Sequence, residues 1–336
     1  MRKRERLELT FAGEATDRVP VVLWRHWPGD DQRAADFARY VVSFQRAYDW
    51  DFIRVEPFSA YMVSDYGVTT EWRGAVHGDR AIVRRAISRS LEWTDLRALD
   101  PSRGELGKHL DALKLMGDAL SSDGLGEADD PTPIITTVYS PLAQAAMMAG
   151  PALLLRHIRT RPDRLRSGLN AITDTTLRFI EALRRTPVAG IVYVMTLADF
   201  SLMSHEEYAA FGLPFDHKVL EARPDKWWFT MLSLPGDAPM FQMAASYPAQ
   251  AIHWLQGEGA PSLVEGRGLF SGAVCGGLDH AAHLHFGTPA QIRDAVRQAF
   301  YETAGRRLIL APDAVVAASA PRSNLRAVRE AVMTPA

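Results

Sequence analysis

Residues 269–311 read LFSGAVCGGLDHAAHLHFGTPAQIRDAVRQAFYETAGRRLILA, and how they parse decides the fold. The apolar run 269–275 reads as a short strand ended by Gly276-Gly277. Thr288 then opens a helix: it stands as N-cap, Pro289 takes the first helical position, and Gln291 closes a capping box. Ile292, Ala295, Val296, Ala299 and Phe300 fall at the spacing of one buried helical face. Gly305 stops the helix, and 308–311 forms a second buried strand. Two apolar strands joined by a helical crossover make a parallel βαβ unit. Ligands meet such units at the loops that follow the strands, here 276–287 and 312–320.

The same alternation extends in both directions. A short charged helix over 2–11 precedes a strand at 21–24, a polar loop at 25–31 and an amphipathic helix ending near Tyr48. The strand at 52–55 is followed by an irregular segment carrying Tyr61, Asp65, Tyr66 and Trp72, then a polar hairpin within 75–87. A helix spans 106–120, and 121–131 is loop by composition. Strands at 133–138, 190–195, 227–232 and 251–254 alternate with helices at 141–149 and 163–183 and with one capped by Ser204 and Glu207. A last helix covers 324–332. About eight strands alternate with helices and no polar linker divides them, so residues 1–336 read as a single (β/α)8 TIM barrel with a short N-terminal helical extension. An open doubly wound sheet is the runner-up, but no Gly-x-Gly-x-x-Gly follows any strand.

Composition narrows the function classes. A net charge of −2 supplies no electrostatic footprint for nucleic acid or an anionic membrane. The single cysteine, Cys275, excludes an intramolecular disulfide framework and any zinc site needing two thiolates from this chain. The N-terminus is charged and lacks the apolar core of a signal peptide, and no run reaches about 18 apolar residues. The expectation is a cytoplasmic protein.

Several segments, in order over almost the full length, resemble the uroporphyrinogen decarboxylase superfamily. They are Asp17-Arg18-Val19-Pro20-Val21 with Arg25 beyond, Ser140-Pro141-Leu142, Gly276-Gly277-Leu278-Asp279 with Phe286-Gly287-Thr288-Pro289, Leu310-Ala311-Pro312, and Pro321 through Asn324-Leu325. The resemblance implies a TIM barrel with its cleft at the strand C-terminal ends. It implies either a cofactor-free decarboxylase of tetrapyrrole acetate groups or a zinc methyltransferase moving methyl between a corrinoid protein and a thiol. Both patterns are eroded. Gly29 stands where the decarboxylases carry a second arginine, Met147 where they carry a tyrosine, and Pro312-Asp313 where they carry Gly-His. The methyltransferase pattern wants His-x-Cys after the fifth strand and a cysteine after the eighth. Met231-Leu232-Ser233-Leu234-Pro235-Gly236-Asp237 and Pro312-Asp313-Ala314 offer neither.

Three candidates lead the search for chemistry. Arg25, flanked by Trp24, His26 and Trp27, reads as a bidentate carboxylate clamp or as a surface ion-pair arginine. Asp65, with Tyr66, is matched through the resemblance to the aspartate that holds pyrrole N–H groups, while Asp65-Tyr66-Gly67 equally suits a turn or a helix cap. His253 ends the sixth strand and is read as a proton relay. His280, His283 and His285 form the densest polar cluster. His283 and His285 with Asp279 suit a metal, an acid–base role, or a merely solvated loop. Tyr193, Asp199, Ser201 and Asp237 end strands or follow them, where barrels place substrate contacts. The tryptophans at 24, 27, 72, 228 and 254 line a flat aromatic cleft or belong to the core.

The working expectation is therefore a carboxy-lyase of porphyrin biosynthesis type acting without cofactor on a carboxylate-bearing substrate. Arg25, Asp65 and His253 would be catalytic, and no metal is expected, with zinc the less favoured alternative. The second expectation is a methyltransferase or demethylase of the same superfamily, with a corrinoid protein as partner and a noncanonical or absent zinc site. A third is a catalytically silent ligand-binding barrel. The substrate is expected to be a small molecule and the chain a homodimer.

Overall fold

The computed structural model describes residues 1–122 and 131–333; the loop expected at 121–131 thus falls largely outside them, its first two residues ending a helix. The chain begins with α1 (Lys3–Ala12), followed by α2 (Ala34–Tyr48), β1 (Ile53–Val55), β2 (Thr69–Glu71), β3 (Ala81–Arg84) and α3 (Gly104–Ser122). Next come β4 (Ile134–Tyr139), α4 (Pro141–Ala149), α5 (Pro151–Thr160), α6 (Pro162–Leu183) and β5 (Val188–Val194). The remainder is α7 (His205–Phe211), α8 (Leu213–Glu221), β6 (Phe229–Leu234), α9 (Phe241–Ala244), β7 (Ala251–Trp254), α10 (Leu263–Leu269), β8 (Ala273–Leu278), α11 (Pro289–Thr303), β9 (Leu308–Pro312) and α12 (Arg322–Ala331).

Seven strands, β1-β4-β5-β6-β7-β8-β9, form one parallel sheet, while β2 and β3 make a separate antiparallel hairpin. The first barrel stave is a single bridge. Val21 pairs in parallel with Leu310 on β9, and the Asp51 amide donates to the Val21 carbonyl at 3.0 Å just before β1. With that stave the sheet curls into the expected (β/α)8 barrel. The Asp51 carboxylate, fully buried, secures this joint. It accepts the Val21 amide at 2.7 Å and both Arg6 and Arg18 at 2.7 Å, so α1 is pinned across the lower rim. Asp17, doubly bonded to Arg6, is held at about 2, low for a carboxyl, by that guanidinium.

The opening stretch departs from its reading at one strand. Residues up to Leu269 belong to α10, and β8 runs through Gly276-Gly277. Gly277 is needed in the strand: its φ is +100°, and a Cβ there would sit 2.9 Å from Ala299 on α11. Thr288 and Gln291 form the expected capping box with Pro289 inside it, and Ser204 with Glu207 does the same for α7. The hairpin leaves the barrel at 69–84 and returns over the upper rim, where the Ala318 amide donates to the Val76 carbonyl at 2.9 Å. No described helix is long and apolar enough to cross a membrane.

Candidate active site

Strand parity decides which side chains face the barrel axis. Ser233, His253 and Cys275 share one row across β6, β7 and β8. On the other side Arg54 stacks over Trp24, 4.2 Å from its centroid, and Trp24 meets the His253 ring edge-on at 5.0 Å. Arg54 Nε donates to Glu56 at 2.8 Å, and Thr137 Oγ1 donates to the same carboxylate at 3.0 Å. These buried residues fill the barrel interior and form its floor. The floor is incompletely satisfied: Trp24 Nε1 and Arg54 Nη1 have no hydrogen-bond partner, nor does His26 Nδ1 above them. Buried polar groups are normally paired, so these atoms are open to a further partner.

Above the floor lies the rim. Asp313, one residue past β9 and 5 % exposed, accepts both the His280 amide (2.8 Å) and His280 Nδ1 (2.9 Å) on one oxygen. Asp279 accepts the Ala281 and Ala282 amides at 2.7 and 2.6 Å, which fixes its carboxylate. His77, carried over the rim by the hairpin, lies 5.2 Å from the His280 ring. Burial, then the neighbouring His280 imidazole, lowers its pKa.

The residues expected to carry chemistry are dispersed. Arg25 follows the inward Trp24 and so points outward, over the Trp27 ring at 4.9 Å and beside Phe44 of α2. It does not reach the histidines of the rim, and a clamp there is ruled out by parity. Asp65 is exposed and accepts the Glu105 amide at 2.9 Å, capping α3; a Cβ on Gly104 would collide with that carboxylate. Tyr66 bonds Thr175 of α6 at 2.6 Å. Tyr193 also points outward, to Asp216 on α8 at 2.6 Å. Asp199 is buried in the loop after β5 and accepts the Ser201 amide at 2.7 Å, while Asp237 is exposed.

His253 is inside, but tied. Its Nε2 faces the Pro312 carbonyl at 3.1 Å, which only accepts, so Nε2 carries the proton and Nδ1 accepts from Ser233 Oγ at 3.0 Å. Burial pushes its pKa down to about 3, so it stays neutral and has no free proton to relay. In the rim loop, His283 Nδ1 accepts the Asp279 amide at 3.0 Å and His285 Nε2 pairs with Ser319 at 3.0 Å. His280, not these two, is the histidine that converges with the aspartates. No flat aromatic cleft forms: Trp24 lies inside, Trp228 packs on Phe11 and Phe229, Trp254 packs on Phe241, and Trp72 is exposed.

Residues 2–334 match the model of the uroporphyrinogen decarboxylase (URO-D) family. The chain belongs to that family. Its curated relatives nevertheless carry a different activity. The methylcobamide:CoM methyltransferase MtbA of Methanosarcina acetivorans is 19% identical over 97% of this chain and 96% of the relative, and its Methanosarcina mazei counterpart is 18% identical over the same shares. Among solved structures, a methyltransferase from Methanosarcina mazei superposes with a TM-score of 0.84 at 17% identity, covering 98% of both chains. A B12-independent methionine synthase from Shewanella sp. W3-18-1 gives 0.58 at 12% identity, over 96% of each. These relatives overturn the expected carboxy-lyase and, with it, the porphyrin-biosynthesis assignment.

The thiolate zinc set implied by the methyltransferase resemblance does not fit this chain. Ser233-Leu234-Pro235 and Pro312-Asp313-Ala314 stand at the two ligand segments. Cys275 is fully buried within β8, and burial pushes its thiol up to about 12, far from the thiolate such a site needs. Sequence reasoning missed Arg54, Glu56, His77 and Asp313 as site residues. For Arg54 and Glu56 a signal existed, since two charges spaced by two on an otherwise apolar strand share one face.

Proposed function

We propose that this chain transfers a methyl group between a corrinoid donor and a thiol acceptor at the upper mouth of the barrel. The observation that carries the reading is the full-length likeness to two methylcobamide:CoM methyltransferases, over 97% of the chain and 96% of each relative. The floor suits an anionic acceptor. Arg54, stacked on Trp24 and already paired with Glu56, keeps one N–H unpartnered for a thiolate to accept. Trp24 and the apolar staves around it exclude water from the attacking sulfur. In the transfer the cobalt–carbon bond breaks with both electrons left on cobalt, which goes from Co(III) to Co(I), as the thiolate sulfur bonds the methyl carbon. No step is assigned to zinc.

The test is anaerobic incubation of the protein with methylcobalamin and a panel of thiols that includes coenzyme M. Protein-dependent loss of methylcobalamin absorbance, with one thioether formed per methyl lost, is the expected result. No thioether from any thiol in the panel would overturn the reading.

A further inference from the structure

We infer that Asp279, His280 and Asp313 form a divalent-metal site of nitrogen and oxygen donors at the rim, built from the β8–α11 loop and the end of β9. One ligand atom from each of the three lies within 4.8 Å of the other two. His280 Nδ1 and Asp313 Oδ1 are 2.9 Å apart. Bonds of roughly 2.0–2.1 Å in a tetrahedron put donors about 3.4 Å apart, between those two figures. Binding therefore asks the imidazole and the Asp313 carboxylate to open by about half an ångström, as the metal replaces the proton they share, and the Asp279 oxygen to close by up to about 1.4 Å.

Charge and second-layer bonding agree with this. Two carboxylates and one neutral imidazole balance a dication. Both carboxylates are already aimed: Asp279 by the Ala281 and Ala282 amides, Asp313 by the His280 amide and by its own amide bonded to the Leu278 carbonyl. Independent signs of a missing ligand come from the neighbours. His26, 3 % exposed with Nδ1 unpartnered, packs against Gly78, next to the His77 that faces the His280 ring at 5.2 Å. Imidazole with carboxylate suits borderline divalent ions such as Zn2+, Co2+ or Fe2+ and disfavours soft ones such as Cu+. Three protein donors leave a coordination position open to a substrate.

This site shares the Asp313 segment with the thiolate set but differs from it in its other residues and in donor chemistry, and its binding readout does not depend on methyl transfer. Failure of one proposal therefore leaves the other standing. The experiment is titration of the chelator-treated full chain with Co2+, followed by visible absorption and by calorimetry with Zn2+. The expected result is one ion per chain with tetrahedral or five-coordinate Co2+ bands. His280→Ala and Asp313→Asn should each weaken binding at least tenfold, and His285→Ala should not. Asp279→Asn serves as the check should either variant fail to fold, since it leaves the His280–Asp313 contact in place. No saturable binding by the wild-type protein, or binding unaltered in the folded variants, would overturn the assignment.

Discussion

Two buried polar networks flank the same sheet, and they are finished to different degrees. Outside the barrel, Asp216 is fully buried yet takes three phenol donors, from Tyr193 at 2.6 Å, Tyr208 at 2.7 Å and Tyr247 at 3.0 Å. Every polar atom in that cluster has a partner, which locks α7, α8 and the segment after α9 against β5. Inside the barrel, the Trp24–Arg54–Glu56 network and His26 leave three N–H or nitrogen positions unmet. The first network is as large and as buried as the second, so burial of charge does not separate structure from function here. Completeness distinguishes these two: a satisfied network has nothing to offer a ligand, and an unsatisfied one costs stability until water or a ligand meets it.

That contrast is open to attack in several ways. The largest effect belongs to Asp216→Ala, which strands three buried hydroxyls and should cost about 3–5 kcal/mol in urea unfolding. Methyl transfer per folded molecule should be unchanged, and a specific loss of transfer without loss of stability would break the comparison.

Next comes the pH dependence of stability. Burial holds His109 and His253 at about 3, against about 6.5 in an unfolded chain. Below pH 6.5 the unfolded chain takes up protons that the folded one refuses, so these histidines' contribution is intact above 6.5 and drains away as pH falls toward 3. Asp216 works in the opposite sense. Burial raises it from 3.8 to about 6, so its contribution is present below 3.8 and lost as pH rises to 6. Denaturation series between pH 4 and 7 should therefore show His109→Gln flattening the rise by about 1.4 kcal/mol per pH unit, and Asp216→Asn steepening it.

Trp24→Phe sharpens the comparison from the other side. The unmet indole N–H leaves together with some volume, so stability should change by less than about 1.5 kcal/mol. Transfer should nonetheless fall about tenfold in kcat/KM, because the surface under Arg54 is narrowed. The smallest effect is expected for Arg25→Gln. With its guanidinium over Trp27 on the outer face, the variant should lose about 0.5–1 kcal/mol of stability and less than twofold in transfer.

The barrel was legible in the sequence because its signals are local. The capping boxes at Thr288 and Ser204 and the stripes of α6 and α11 each lie within a few turns of chain. Where local signals conflict, the reading slipped. Gly276-Gly277 looks like a stop, but in β8 the missing side chain makes room for Ala299, a contact made by a helix some twenty residues on. The same Ser-x-x-Glu pattern at Ser262 and Glu265 caps α10 and shows why Leu269 belongs to a helix. The site was less legible because it depends on convergence. Asp313 and His280 stand 33 residues apart in two loops that have no period to place them. Arg25 was misplaced by its position in a family pattern, although alternation from Trp24 already sends it to the other face.

Arg54→Lys set beside Tyr193→Phe tests the account most directly, through kcat/KM for methyl transfer from methylcobalamin to a thiol. Both remove one polar feature from a buried network and keep its charge state. At least a tenfold fall is expected for Arg54→Lys, which loses the planar stack on Trp24, and less than a twofold change for Tyr193→Phe. Equal effects of the two, or the larger effect at Tyr193, would contradict it.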